Sequence, residues 1–210
     1  MVKRNKLVVA LIVNIVIVVF ETVAVFQSVF NHKLGVFKFY TEDSNYLALV
    51  ISAIFCVSAI VAITNKANIP KWVHFLRYTA SVCLTLTFIV ILCLLSPMYP
   101  DNFIYWMFTG SGIFHHTICP LTSFVSFVIF ENYHKLKKKS IFLSLIPTII
   151  YGITCIILNL THQLLGPYPF FYVYALPWYV STTSLIGVLV CTLIISFVLY
   201  KINNRKSRTI

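Results

Sequence analysis

Residues Gly110 to Glu131 read GSGIFHHTICPLTSFVSFVIFE, a nearly unbroken apolar run that contains two adjacent histidines and a proline. A helix of about 20 apolar residues, rising about 1.5 Å per residue, crosses the hydrocarbon core of a bilayer. His115 and His116 are therefore predicted to lie inside a membrane segment. Ionisable side chains are costly in hydrocarbon, so they usually face a bundle interior or a wet cavity and carry function. The alternative is that the pair only packs and hydrogen-bonds between helices.

Pro120 predicts an irregularity in the same helix. It lies four residues after His116 and has no N–H group, so it leaves the His116 carbonyl unpaired and bends the helix there. Irregular backbone at membrane depth is tolerated only where protein or water satisfies its polar groups. We therefore expect a helix kink at Pro120.

The composition is typical of an integral membrane protein. Of 210 residues, 60% are hydrophobic and only 10% are charged, whereas a soluble domain has about 25% charged residues. We expect an all-α integral membrane protein, a compact bundle of six transmembrane helices that forms one polytopic domain over residues 1–210. The first run is interpreted as a retained helix rather than a signal peptide. The expected spans are residues 7–30, 44–64, 73–95, 103–130, 141–158 and 177–200.

The net charge of +11 comes from short basic clusters at the ends of the apolar runs. This distribution indicates membrane topology and anionic lipid headgroups rather than nucleic acid. Fourteen Lys and Arg residues lie in the N-terminus, residues 66–77, residues 135–139 and the tail 201–208, whereas the opposite loops hold only Lys33 and Lys38. Both termini are therefore predicted to be cytoplasmic. Abundant Ile, Lys and Asn favour a bacterial plasma membrane.

The six cysteines fall inside apolar runs and form no Cys-x-x-Cys pair. This pattern predicts packing residues rather than a disulfide framework or a zinc site. Adjacent histidines on a helix point in different directions, and no third ligand is spaced to join them. We expect no metal and no cofactor, and we expect membrane lipids as partners rather than nucleic acid. The pattern favours no particular oligomeric state.

Glu21 is a second ionisable residue inside an apolar run. Counting about 1.5 Å per residue from the inner surface places Glu21 and His116 at about the same depth. We expect a hydrogen bond between them, which would fix the imidazole tautomer and raise its basicity. The alternative is a protonated Glu21 bonded to a neighbouring helix.

Thr41 precedes the second apolar run and is followed by Glu42 and Asp43. This pattern is typical of a helix N-cap with a favourable first turn, and a hydroxyl near a histidine is also a candidate nucleophile. Counting along upright helices places Thr41 about 14 Å above His116. Tilted helices, or a re-entrant start to the second span, would have to close that distance.

The outer loop from Gly166 to Tyr172 contains two prolines and several aromatic residues. Aromatic residues at this level commonly anchor a protein at the headgroups. The prolines and the glycine instead favour a fixed loop that re-enters the bundle as a cap over a cavity. Both interpretations remain open at the level of sequence.

Several of these motifs resemble those of a known family. The segment 39–47 with Thr41, Ser44 and Asn45, the pair His116 and Pro120, and the loop 167–170 resemble the bacterial branch of a six-helix membrane family. That family is related to the androgen-induced and androgen-dependent TFPI-regulating proteins, which are intramembrane threonine hydrolases. The resemblance covers nearly the whole chain in span number, order and motif placement. It implies a hydrolase of fatty acid esters of hydroxy fatty acids, with Thr41 as nucleophile, His116 as base and no metal.

We therefore expect a hydrolase whose lipid ester substrate enters from the outer leaflet. His116 would take the hydroxyl proton of Thr41, which would form an acyl-enzyme, and Ser44, Asn45 or backbone N–H groups would stabilise the oxyanion. The alternative is a non-enzymatic carrier or sensor for a lipid or small molecule, with Glu21 and His115 beside His116 in a polar cavity. A subunit of a membrane assembly is a third possibility.

Overall fold

The part of the chain that the computed structural model describes, residues 2–206, is mainly helical and contains no strand. This confirms the predicted all-α class. Helices suit a bilayer because they satisfy their own backbone hydrogen bonds. The α-helices of the described chain are α1 (Val2–His32), α2 (Tyr40–Thr64), α3 (Lys71–Val90), α4 (Ser96–Met98), α5 (Phe103–Phe108), α6 (Cys119–Ile129), α7 (Lys139–Leu143), α8 (Ile146–Leu160) and α9 (Trp178–Lys206).

Shorter helical segments join several of these elements. Two are π-helical turns that lengthen α3 and precede α6, and three are 3₁₀ turns in the connections. The π turns are Ile91–Leu95 and Ile113–Ile118, and the 3₁₀ turns are Lys33–Lys38, Pro100–Asn102 and Pro169–Phe171.

Five helical stretches of the described chain are long and apolar enough to cross a membrane: Arg4–Asn31, Tyr40–Thr64, Lys71–Met98, Lys139–Leu160 and Trp178–Lys206. A sixth candidate is a broken pair, Pro100–Phe108 and Ile113–Ile129, whose two parts are bent by 90°. The architecture fits a multi-pass membrane protein with five spans, or six if the broken pair counts as one. The second span begins at Tyr40 rather than at residue 44, so it includes Thr41.

The predicted span over residues 103–130 is not one continuous helix. The chain leaves α5 at Thr109 in an extended conformation, with φ −125° and ψ 152°. It then turns at Gly110, whose φ of +53° lies in the left-handed region. Glycine adopts this conformation readily because it has no Cβ. Helical structure resumes at Ile113 in a new direction.

The third span, which begins with α3, lies at the centre of the bundle. Of its apolar window, 56% is buried, the largest share among the candidate spans of the described chain. It contacts α2, α6 and α9, and α1 packs along α2 and α6. Large apolar side chains on the outer surface, such as Phe26 and Phe30 of α1, stay exposed. Such a surface suits contact with lipid tails.

Arg77 and Glu131 form an ion pair inside the bundle, where both side chains are fully buried. Arg77 Nε donates to Glu131 Oε2 at 3.0 Å, and Nη2 donates to Oε1 at 3.1 Å. Burial alone would raise the pKa of Glu131, but Arg77 and hydrogen bonds from Ser126 and Asn14 hold it below its usual range. Polar side chains of α1, α2 and α6 complete the network: Asn14, Ser52, Ser123 and Ser126.

The charge count groups Arg77 with the basic residues 66–77, and the structure places its side chain in the interior beside Glu131. The chain after α6 turns back so that Glu131 reaches the interior beside α3. A buried cation and a buried carboxylate are each costly alone, so their burial is tolerated because they pair. Four helices meet at this pair.

The other basic segments gather at one end of the bundle, as their charge pattern predicts. Lys206 Nζ at the end of α9 donates to the Val128 carbonyl at 3.0 Å, and Asn203 donates to the His134 carbonyl at 2.9 Å. The start of α1 and the end of α2 lie at the same end. We call it the basic end. The predicted basic tail extends to residue 208, and its positions 207 and 208 lie outside the described residues.

We expect Arg77→Ala to destabilise the protein by about 3–5 kcal/mol, because it leaves the buried Glu131 carboxylate without its charge partner. Lys71→Ala removes an exposed cation from the same helix and should change stability by less than about 0.5 kcal/mol. Denaturant unfolding in detergent measures the free energy of unfolding of both variants. Equal losses would show that the ion pair does not hold the helices together.

Candidate functional site

A cavity of about 670 Å³ lies at the end of the bundle opposite the basic end, where α1 finishes and α2 begins. We call it the outer cavity. Its volume is within the range of small-molecule sites, about 300–1,000 Å³. Its walls come from α1, the first turn of α2, the bend at residues 109–112 and the loop after α8. The polar and charged residues on these walls include Ser28, Asn31, Lys38, Thr41, Glu42, Asn102, Thr109, Ser111, His116 and Tyr168.

His116 lines the outer cavity and is oriented by the bend. Its Nδ1 lies 2.7 Å from the carbonyl oxygen of Trp106. A carbonyl oxygen only accepts hydrogen bonds, so Nδ1 must carry a proton, and in the neutral ring Nε2 keeps a lone pair. The contact therefore selects the tautomer in which Nε2 can accept a proton.

Gly112 makes the contact between His116 and Trp106 possible. A Cβ built at position 112 would overlap the Trp106 carbonyl oxygen and lie 3.6 Å from His116 Nδ1. Glycine is the residue that lets the two segments of the broken pair approach this closely. The backbone of the bend thus supports the side chain of the candidate base.

Thr41 lies on the wall of the same cavity, in the first turn of α2. The interpretation of Thr41 as the N-cap is wrong, because the helix begins at Tyr40 and its N-cap is Phe39. The start of α2 is also a regular helix and not a re-entrant segment. The bend before Ile113 instead puts His116 near the beginning of the second helix of the broken pair, so Thr41 and His116 reach one cavity.

A second, apolar pocket of about 200 Å³ adjoins the outer cavity. Thr41 and Tyr168 line both spaces, so they stand at the junction between a polar and an apolar compartment. We call the second space the apolar pocket. Its apolar walls include Leu86, Val90, Ile149, Ile153, Ile156, Phe170, Phe171, Leu185, Val188 and Leu189.

Tyr168 is buried, and its hydroxyl accepts a hydrogen bond from the Thr41 backbone N–H at 3.4 Å. Its ring stacks on Phe170, with centroids 5.3 Å apart, and packs edge-on against Phe39. Burial raises the pKa of Tyr168 above its usual value, so the hydroxyl stays neutral and keeps a proton to donate. The loop folds inward as a cap, as its prolines and glycine favour.

Tyr168 is not among the site residues that the sequence analysis names. The available signal was its place between two prolines in a loop expected to re-enter the bundle. That signal locates the loop but not the direction of one ring, which depends on packing against α2.

His115 lies between two carboxylates and does not line the outer cavity. Its Nε2 is 3.2 Å from Glu21 Oε2, and its Nδ1 is 3.3 Å from Glu42 Oε1. Ser28 donates to the same Glu42 oxygen at 2.8 Å. The structure thus corrects the expected Glu21–His116 hydrogen bond, because the two histidines point to different sides of the turn and Glu21 faces His115.

Ser44 and Asn45 use their polar groups within the protein. Ser44 Oγ lies 2.7 Å from Thr87 Oγ1 and 3.0 Å from the Thr41 carbonyl. Asn45 Nδ2 donates to the Thr41 carbonyl at 2.6 Å and to the His115 carbonyl at 3.1 Å. These bonds hold the first turn of α2 against the broken pair. Neither residue lines the outer cavity.

Pro120 follows a π-helical turn, Ile113–Ile118, and lies at the start of α6. A π turn widens the helix by one residue, which accommodates the hydrogen bond that proline cannot make. The 90° bend lies earlier in the chain, at residues 109–112. The chain is thus irregular beside Pro120, and glycine provides the sharp turn.

Among the residues that the structure describes, no group of three or more His, Cys, Asp or Glu side chains is placed to hold a metal ion. The comparisons with known proteins give no further assignment: no protein-family model, no curated protein and no solved structure matches the chain.

We expect Gly112→Ala to destabilise the protein by about 1–3 kcal/mol, because the new methyl group overlaps the Trp106 carbonyl. Gly187→Ala is the matched control, since a Cβ there meets no atom within 4 Å and alanine favours a helix interior. Thermal unfolding in detergent compares them. A Gly112→Ala protein as stable as the control would contradict the close approach.

Proposed function

We propose that this protein is an intramembrane hydrolase of lipid esters, with Thr41 as nucleophile and His116 as general base. Fatty acid esters of hydroxy fatty acids, the substrates implied by the family resemblance, belong to this class. We further propose that the broken pair acts as a sixth span. The basic end then faces the cytoplasm of a bacterial cell, and the outer cavity opens on the far side.

The observation that carries this proposal is the position of Thr41 at the junction of two compartments. The apolar pocket suits a hydrocarbon chain, and the outer cavity suits the polar remainder of an ester. An ester bond that lies across this junction has its carbonyl carbon beside the Thr41 hydroxyl. His116 lines the polar side, from which water also enters.

The fixed tautomer of His116 supports its role as base. With Nδ1–H bound to the Trp106 carbonyl, Nε2 accepts the proton of Thr41 Oγ1 as that oxygen attacks the ester carbonyl. The C–O bond to the alcohol then breaks, and His116 returns the proton to the leaving oxygen. A water molecule, deprotonated by the same nitrogen, hydrolyses the acyl-threonine and regenerates the free hydroxyl.

His115 does not suit this role. Each of its ring nitrogens faces a buried carboxylate, and only a protonated imidazole offers an N–H to both Glu21 and Glu42. A ring held in this way has no free lone pair for a substrate. We propose that His115, Glu21 and Glu42 hold the broken pair against α1 and α2.

Tyr168 is the best placed oxyanion donor. Its hydroxyl already accepts from Thr41 N–H and still has a proton to give, whereas Ser44 and Asn45 are engaged with the backbone and Thr87. A donor directed at the developing oxyanion typically contributes about 3–4 kcal/mol to transition-state stabilisation.

The test is covalent labelling of the detergent-purified protein with a long-chain fluorophosphonate. We expect wild type and Thr41→Ser to be labelled, and Thr41→Val to lose labelling, because valine keeps the shape of threonine but has no hydroxyl. His116→Ala should lose labelling by about 100-fold or more, since a general base contributes 10²–10⁴-fold. Mass spectrometry of the adduct should place it on residue 41.

Thr22→Ala and His162→Ala are matched controls, since both side chains are exposed and lie away from the cavity. Both should label like wild type. If Thr41→Val labels as well as wild type, Thr41 is not the nucleophile. If no variant labels, the alternative of a non-enzymatic carrier or sensor for a lipid is favoured, because the two compartments remain a binding site without chemistry.

Tyr168→Phe tests the oxyanion assignment separately. We expect the turnover number for a long-chain p-nitrophenyl ester to fall by about 10²–10³-fold with little change in KM, because the donor acts in the transition state. Tyr174→Phe, an exposed tyrosine whose hydroxyl binds the Leu160 carbonyl, should keep full activity. A pure rise in KM for Tyr168→Phe would instead indicate a role in ground-state binding.

A further inference from the structure

A separate cavity of about 290 Å³ lies at the basic end, about 35 Å from Thr41 along α2. We call it the basic pocket. It is formed by the start of α1, the last turn of α2, the connection to α3 and the segment that follows α6. Its lining includes Arg4, Lys6, Leu7, Lys66, Phe130 and Tyr133.

Three cations converge on this pocket from two different elements: Arg4 and Lys6 from α1, and Lys66 from the end of α2. None of them takes part in a salt bridge among the described residues. No acidic residue lines the pocket, and the nearest one in the sequence, Glu131, is already neutralised by Arg77. The pocket therefore has an uncompensated positive charge.

Tyr133 contributes an aromatic ring to the wall of the pocket. Its hydroxyl is buried and has no hydrogen-bond partner among the described residues. The ring is held in place by stacking on Phe55, with centroids 6.2 Å apart, and by an edge contact with His74. Burial raises the pKa of Tyr133 above its usual value, so the hydroxyl keeps its proton.

The backbone of Lys66 has a conformation that is uncommon for lysine. Its φ is +52°, in the left-handed region, directly after the end of α2. Glycine or asparagine is preferred at such a helix terminus because a Cβ is crowded there. The turn presents the lysine side chain on the wall of the basic pocket.

We propose that the basic pocket binds the phosphate of an anionic phospholipid headgroup. Arg4, Lys6 and Lys66 would neutralise the phosphate. The apolar residues of the lining, such as Leu7 and Phe130, would contact the first carbons of the acyl chains. The site is independent of the proposed hydrolase chemistry at the other end of α2.

The experiment measures tightly bound lipid by native mass spectrometry of the full-length protein in detergent. The probes are dioleoylphosphatidylglycerol and dioleoylphosphatidylcholine, which share acyl chains and differ in headgroup charge. We expect wild type to retain the phosphatidylglycerol and to release the phosphatidylcholine. Equal retention of both lipids would overturn the proposal, since charge would then not be recognised.

Lys66→Gly is the most informative variant, because it has opposite expected effects on fold and binding. Glycine suits the positive φ, so thermal stability without lipid should be equal or higher. The affinity for phosphatidylglycerol should fall by about fivefold, since one basic side chain is lost. Unchanged affinity would remove Lys66 from the site.

The triple variant Arg4→Gln, Lys6→Gln, Lys66→Gly should lose about 100-fold in affinity. The matched control is Lys137→Gln, Lys138→Gln, Lys139→Gln, which removes the same charge from exposed positions outside the pocket. Equal losses in the two triple variants would mean diffuse attraction and would overturn the proposal. Displacement of phosphatidylglycerol by millimolar inorganic phosphate would also overturn it, because the ligand would then be free phosphate.

Discussion

A charged side chain in the interior of a membrane bundle must find its partners within the bundle, and Arg77 does so on all sides. Glu131 accepts two hydrogen bonds from it, while Ser52 accepts one from Nη1 and Ser123 accepts one from Nη2. The carboxylate in turn accepts from Asn14 and Ser126. Because these groups come from α1, α2, α3, α6 and the segment after it, one network sets how four helices pack. If either partner of this ion pair were lost, the other would be a buried charge without compensation.

The broken pair, Pro100–Phe108 and Ile113–Ile129, is bent by 90°. The chain turns sharply at residues 109–112, and α5 packs back against the π turn before α6. Gly110 permits the turn and Gly112 permits the approach of the Trp106 carbonyl to His116. Residues 109–112 line the outer cavity, and irregular backbone is tolerated where it lines a cavity.

Two adjacent histidines thereby come to serve different purposes. Adjacent side chains on a helical turn point in different directions. His115 therefore faces the carboxylates of Glu21 and Glu42, and His116 faces the outer cavity. The contacts of His115 join α1, α2 and the broken pair by charge. His116 keeps a ring nitrogen open to a ligand in the cavity. The cap formed by Tyr168 then separates the outer cavity from the apolar pocket at Thr41. The polar cavity and the apolar pocket thus meet at Thr41 and Tyr168.

The sequence by itself determined the helical class, the approximate limits of most spans and the grouping of the basic segments at one end. These properties follow from local rules, since apolar run length and the rise of a helix do not depend on distant residues. It also pointed to Thr41, His116 and the loop at 167–170, but it could not tell which histidine Glu21 meets. Only the tertiary structure decided that contact, the burial of Arg77 with Glu131, the break at Gly110 and the inward turn of Tyr168. Each of these depends on side chains far apart in the chain, whose relative directions are set by packing and not by spacing along one helix.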